Sequence, residues 1–491
     1  MARQTDATGS EGESVGKHSA GGTEPPVQAE AAASGATATA IKFGPLKLTR
    51  GTSRGNVATY YWLALSSIML FTLVPALQAG LLTTILGIPE DEQGRITGLL
   101  GLVGEIILIV VVAISGAWSD RVGRRPVAVL GYALIALGIG LTPFVGNVLS
   151  LTMARAVAGI GIAIITGMIT AIVTDYVRDE TRGTANGILG FANGIGALIT
   201  FTALLQLPNL FESAGLDEVA ALRATYLVGA GLAAATAVLM RVGLRGGRAV
   251  AQTDEPSIRE LVGKGLKAGK DAGLSLSYAA AFVARADLAL VGAFLILWAQ
   301  QYGESIGLSS GEATAKAGIL LAVANGTALL AAPITGVIAD RIGRTESVII
   351  ALAVTAVGYT ATLLISDPFS GVGFAIAALI GVGQVSAVIS SIVLVAEQAP
   401  PKIRGAVIGM FALFGGIGIM IALGLGGILF DAWRPAAPFV LFGIMAGIVA
   451  VYGLIVRKQI IPNRYAADED IAHDVGVAGT IPMKEQTEPG A

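Results

Sequence analysis

Five residues able to do chemistry stand where the chain is otherwise apolar: Glu105, Arg155, Arg285, Asp287 and Asn325. A carboxyl group in such surroundings can take up and release a proton, and a guanidinium can hold an anion. Ionisable side chains are costly in hydrocarbon and tend to mark a solute or proton pathway. Arg285 and Asp287 are two residues apart, so on a helix they lie on different faces and do not simply neutralise each other. Two readings stand for Glu105, Arg285 and Asp287: a polar tie between helices, or a contact to a solute or proton. Gln78, Asn193, Gln300 and Gln384 are better read as helix-packing hydrogen bonds.

Other chemistry is excluded by what the chain lacks. It has no cysteine, and its two histidines, His18 and His473, lie in polar tails. Disulfides, thiolate metal sites and a Cys nucleophile are therefore ruled out, and a His-based site is not expected. No convincing set of nucleophile, base or metal ligands remains, so the chain reads as a non-enzyme without cofactor or metal. A net charge of −2 gives no reason to expect a nucleic acid partner.

The elements that position these residues follow from hydropathy. Apolar residues make up 54% of the chain and charged residues 13%, against about 25% charged in soluble domains. A bilayer-spanning helix needs about 20 apolar residues. Six such runs begin near Tyr60, Ile96, Val127, Leu149, Thr184 and Ala224, and six more near Tyr278, Ala317, Ser347, Val372, Ala406 and Ala437. The expected fold is an all-α membrane protein of twelve spans. The sixth is the weakest, being short and Ala-rich. Residues 1–55 read as a disordered tail without the apolar core of a leader, 56–242 as one six-helix bundle and 243–276 as a linker. Residues 277–458 read as the second bundle and 459–491 as a disordered tail. In the linker, Ser257 and Glu260 have capping-box spacing, and Ile258, Leu261, Val262 and Leu266 share a helical face, as in an interfacial amphipathic helix. A solvated basic spacer is the alternative.

Lys and Arg gather on one side of the spans, as at Arg121, Arg178, Arg241, Arg341, Arg404 and Arg457. By the positive-inside rule that side, with both termini and the linker, is cytoplasmic.

The most informative signal is a repeat. Gly116, Asp120, Arg121, Gly123 and Arg124 follow the second span, and Gly336, Asp340, Arg341, Gly343 and Arg344 follow the eighth in the same G-x-x-x-D-R-x-G-R pattern, offset by 220. Asp175 with Arg182 after the fourth span matches Glu397 with Arg404 after the tenth, offset by 222. At the first offset Glu105 corresponds to Asn325, which suggests a shared cavity lining.

In these doubled motifs the chain resembles the major facilitator superfamily across roughly residues 55 to 460. The resemblance implies two six-helix bundles related by a pseudo-two-fold axis along the membrane normal. It also implies a cytoplasmic gate in which Asp120 meets the eleventh span near Arg404 and Gly405, and Asp340 meets the fifth near Arg182 and Gly183. Charges that only fix topology are the bland alternative. The run from Arg155 to Gly161 is similar to the superfamily's fourth-span Arg-Gly motif, which implies proton coupling, although Arg155 could also snorkel to the outer surface. The fifth span lacks the Gly-Pro pair of proton-driven drug antiporters. The sugar porters' acid-and-Pro signature is missing after the sixth.

The expected function is secondary transport of a small organic solute by alternating access, proton-coupled. The protein is expected to be a monomer in the lipid bilayer of the inner (plasma) membrane. Multidrug efflux is the alternative within the class, and a non-transporting solute sensor the alternative outside it. Glu105, Arg285 and Asp287 are expected to face the central cavity or one another.

Overall fold

The computed structural model describes residues 42–247 and 258–462. Among them, twelve helices are long and apolar enough to cross a membrane. Spans one to six are Arg54–Ile85, Glu90–Val122, Arg124–Phe144, Val148–Tyr176, Glu180–Ser213 and Glu218–Gly243. Spans seven to twelve are Ala272–Ser305, Ser310–Ile342, Arg344–Leu364, Gly371–Gln398, Arg404–Ala432 and Ala437–Gln459. Helices satisfy their own backbone groups, which is what a chain without water around it requires. Their ends are set by capping residues. Ser53, Asn147 and Ser309 close capping boxes, and Asp217 accepts the Ala220 N–H. The sixth span is a full helix of 26 residues, so its Ala content does not shorten it.

The repeat read from the motifs is present in the fold. The second and eighth spans are both 33 residues long and start 220 positions apart. Both end on a motif glycine with positive φ, 104° at Gly123 and 97° at Gly343. These glycines let the chain turn directly into the next helix, a conformation strained for other residues. The first and seventh spans each contain a π-helical turn, Leu81–Ile85 and Val291–Leu295. Packing repeats as well. Within the halves, spans two, three, four and six pack as spans eight, nine, ten and twelve do: two on four as eight on ten, three on six as nine on twelve. Between the halves, two packs on eleven and eight on five. Outward faces carry exposed apolar side chains such as Leu149, Met153, Val238, Ile350, Val357 and Ile448. A surface of this kind is stable against hydrocarbon, not water. The chain is a multi-pass membrane protein.

Residues 42–53, expected within a disordered tail, are ordered instead. Lys42–Phe43 and Leu46–Lys47 form a short antiparallel hairpin. Leu46 and Leu48 are fully buried, and Leu48 bridges to Val177. The Thr49 N–H donates to the Tyr176 carbonyl at 3.0 Å, the Thr49 hydroxyl donates to the Asp175 carbonyl at 2.6 Å, and the Arg178 N–H donates to the Lys47 carbonyl at 3.0 Å. The polar composition hid a strap whose two leucines are its anchors. At the other end of the chain, Gln398 Nε2 donates to the Ile461 carbonyl at 3.0 Å. Ile460 is buried, so order runs a few residues past the expected start of the second tail.

The linker contains a helix, Ile258–Ala268, but its expected cap Ser257 lies outside the described residues. This helix touches the eleventh span, where a Cβ on Gly265 would press on the Ala406 carbonyl, and Tyr278 of the seventh span donates to the Gly265 carbonyl at 3.2 Å. Leu266 is exposed.

Candidate functional site

The two halves are closed on one side and apart on the other. On the side opposite the motifs, backbone meets backbone. A Cβ on Gly98 would fall on the Leu423 carbonyl, one on Gly101 on the Leu423 side chain, and one on Gly318 on the Phe201 carbonyl. Side-chain amides reinforce the contact. Gln300 donates to the Ala76 carbonyl at 3.1 Å, Gln301 to the Glu90 carbonyl at 3.1 Å, and Gln206 to the Ala315 carbonyl at 3.0 Å. On the motif side, a Cβ on Gly116, Gly183, Gly336 or Gly405 would meet nothing within 4 Å.

Two motif arginines, Arg124 and Arg344, pair within their own halves. Arg124 lies 2.6 Å from Asp120 and 2.9 Å from Asp175, and it also donates to the Ser119 hydroxyl. Its repeat mate Arg344 lies 3.1 Å from Glu397. The two motifs recognised separately in the sequence thus form one ion-pair site in each half. Asp340, Arg121 and Arg341 are exposed, and Arg182 donates to the Thr174 carbonyl at 3.2 Å. The motif glycines that should be closed against the other half face open space. The reason is conformational: cross-half contacts belong to a state closed on the motif side, and this one is open there.

Glu105 and Arg285, from opposite halves, approach neighbouring glycines of the eleventh span. Glu105 of the second span faces Gly416 of the eleventh, where a Cβ would sit 3.8 Å from its carboxylate. Arg285 of the seventh span lies beside the same two glycines. The Arg285 stem packs on Gly415, one residue from Gly416, and its side chain is exposed. Asp287 is not part of this pair. It is fully buried inside the second half, neither carboxylate oxygen has a hydrogen-bond partner, and the Tyr359 hydroxyl donates only to its backbone carbonyl at 3.1 Å. The expectation that Asp287 faces the cavity or the other charges is therefore corrected. The two-residue spacing that separates it from Arg285 turns it into the helix core.

Asn325 and Arg155 are also tied locally. Asn325 donates to the Leu321 carbonyl of its own helix at 3.0 Å. Arg155 does not snorkel. It donates to Gln78 Oε1 at 2.6 Å, and Gln78 Nε2 donates to the Thr97 hydroxyl at 2.8 Å, a relay joining the fourth, first and second spans. A groove of about 390 Å³ lies elsewhere, among Thr327, Ile334, Thr335, Ile350 and Ser386. Its wall includes the exposed Leu330 and Ile334, so it opens on the apolar exterior and not on the Glu105–Arg285 pair. Among the described residues no cluster could hold a metal ion.

The sequence profile of the Major Facilitator Superfamily matches residues 62–315 and 277–473. The chain belongs to this superfamily. It is a transport protein and not an enzyme. Magnetosome protein MamH of Paramagnetospirillum magneticum is 28% identical over 428 residues, covering 85% of this chain and 96% of MamH. Magnetosome protein MamZ of the same organism is 26% identical over 455 residues, covering 89% of this chain and 68% of MamZ. A crystal structure of a mutant of the nucleoside transporter NupG shares the fold with a TM-score of 0.65 at 14% identity, over 82% of this chain and 99% of that one.

The structure also holds cross-half contacts that the sequence motifs did not reveal. Gln301 meets Gln93 at 3.1 Å across the closed side, and Asp431 and Glu212 each reach into the opposite half. The acids at 212 and 431 are 219 positions apart, nearly the motif period, and that spacing is the signal that could have found them.

Proposed function

We propose that this superfamily member is a secondary active transporter of a small organic solute, working by alternating access and coupled to protons. The observation that carries the reading is the placement of Glu105 and Arg285, opposite charges from opposite halves, beside Gly416 and Gly415, between halves sealed on one side and apart on the other. An opposite pair in such a cavity can open to a polar solute, with each charge taking a partner on it, and close again when the solute leaves. Glu105 is the group to carry the proton, because protonation frees Arg285 and deprotonation recaptures it. The Lys and Arg bias supports a cytoplasmic motif side, and with it an inner-membrane protein that is inward-open here and has both termini inside. A monomer suffices, since both halves of the pathway lie in one chain.

The test uses purified protein in liposomes, with a solute first found by thermal-shift screening of small organic compounds. Glu105→Gln should keep solute counterflow and lose accumulation driven by a pH step. Retained pH-driven accumulation would remove Glu105 from coupling. Unchanged counterflow in Arg285→Ala would remove the pair from the solute site.

A further inference from the structure

Two acids at the closed side are used by nothing derived above. Asp431, at the end of the eleventh span, has a side chain only 1% exposed, and it reaches the first turns of the second span in the other half. It accepts the Gly94 N–H at 2.8 Å and the Arg95 N–H at 2.7 Å, with Arg95 Nε at 4.0 Å. Glu212, at the end of the fifth span, reaches the start of the eighth span in the opposite half. It accepts the Ser309 hydroxyl at 2.5 Å, and that hydroxyl accepts the Glu312 N–H at 3.2 Å. A Cβ on Gly94 would fall on the Asp431 carboxylate, and one on Gly311 would fall on that of Glu212. Glycine makes the room in both places.

The same device is therefore built twice, in crossed directions. The acids are 219 positions apart and the helices they hold start 220 apart. Asp431 takes two N–H groups of the second turn of its target helix, Glu212 takes the N-cap hydroxyl of the other, and the partial positive charge at a helix start suits a carboxylate. Every bond to these two carboxylates crosses between halves, so each must break when this side opens. Water then solvates the freed carboxylates and returns much of the lost interaction, as for other desolvated charges, which keeps the contact reversible.

We propose that Asp431 and Glu212 are paired latches that hold the side opposite the motifs shut, each a carboxylate of one half seated on a helix start of the other. The inference rests on the alternating-access reading. It assigns to two residues a share of the stability of the state seen here.

The chain has no cysteine, so reporter pairs can be placed directly. Leu149→Cys and Leu364→Cys are exposed positions at the closed side of opposite halves, and Val242→Cys and Ile455→Cys are exposed positions at the motif side. Each pair carries nitroxide labels for distance measurement in nanodiscs. The parent chain should give one short distance at the closed side. Asp431→Ala with Glu212→Ala should add a longer component and lower the sealed-to-open ratio at least tenfold. Asp431→Asn with Glu212→Gln keeps shape and removes charge. It should give a smaller shift in the same direction, and it serves as the test if the alanine variant does not fold. Parent-like distances in the folded variant overturn the latch, including when its melting temperature falls, since that marks the acids as fold glue only. If the closed side lengthens while the motif side stays unchanged, the latch stands and alternating access fails.

Discussion

Gly98→Ala adds one methyl group where it would fall on the Leu423 carbonyl, with the Gly427 Cα 3.4 Å away. Both obstacles are backbone of the opposite half, so neither can turn aside as a side chain would. Relief comes only from moving the eleventh span off the second. Overpacking of this kind costs about 1–3 kcal/mol, charged only to the closed state. With about 1.4 kcal/mol per factor of ten, the sealed-to-open ratio should fall by about 5- to 140-fold. Gly104→Ala is the control, because a Cβ there meets nothing within 4 Å. The reporter is Ala315→Cys, a buried position at the contact between the fifth and eighth spans. A rigid separation of the halves must expose it although the mutation lies at the other contact. A membrane-impermeant maleimide should label it faster in Gly98→Ala and at the parent rate in Gly104→Ala. Equal rates in folded samples of both variants would refute the claim that this backbone contact seals the protein.

Further outcomes follow from the buried polar groups and the motif turns. Gln78→Leu removes the acceptor of Arg155 and should cost about 1–3 kcal/mol, seen as a lower midpoint in thermal unfolding; an unchanged midpoint would mean that Arg155 has other support. Asp287→Leu replaces a buried carboxyl without partners and should leave stability equal or higher, whereas a clear loss in the same assay would reveal a partner for it. Gly343→Ala forces a side chain onto φ 97° and against Glu346, so expression and monodispersity should fall, with Gly336→Ala as the tolerated comparison.

The spans were legible because hydrocarbon imposes a length on every crossing helix, and the halves because two motifs recur at one period. The sixth span shows the margin: alanine lowers hydropathy without lowering helix propensity, so a complete helix reads as a short one. The strap at residues 42–53 was hidden for a related reason, since Leu46 and Leu48 are too few to make a run. Charge depth could be read from position along a span, which is how Glu105 stood out. Direction around the helix could not, so the same logic placed Asp287 in the cavity although it turns into the core. The motif residues could be named, but a sequence encodes contacts of every state in the transport cycle without saying which are made together. Asp120 and Asp340 were assigned the contacts of a closed motif side, while this conformer engages Gly94 and Gly98 on the other.

The segments that flank the first and last spans sit closer to the gate than their places in the sequence suggest. The hairpin strap grips the backbone of Asp175 and Tyr176, and Asp175 holds Arg124. In the other half the segment after the last span grips Gln398, the neighbour of Glu397, which holds Arg344. A load applied to either flanking segment therefore arrives at residues beside those that anchor a motif arginine. The two flanking segments are thus tethered beside the two ion-pair sites, and a cut made between the strap and the first span would free one tether from its span while leaving all twelve spans intact.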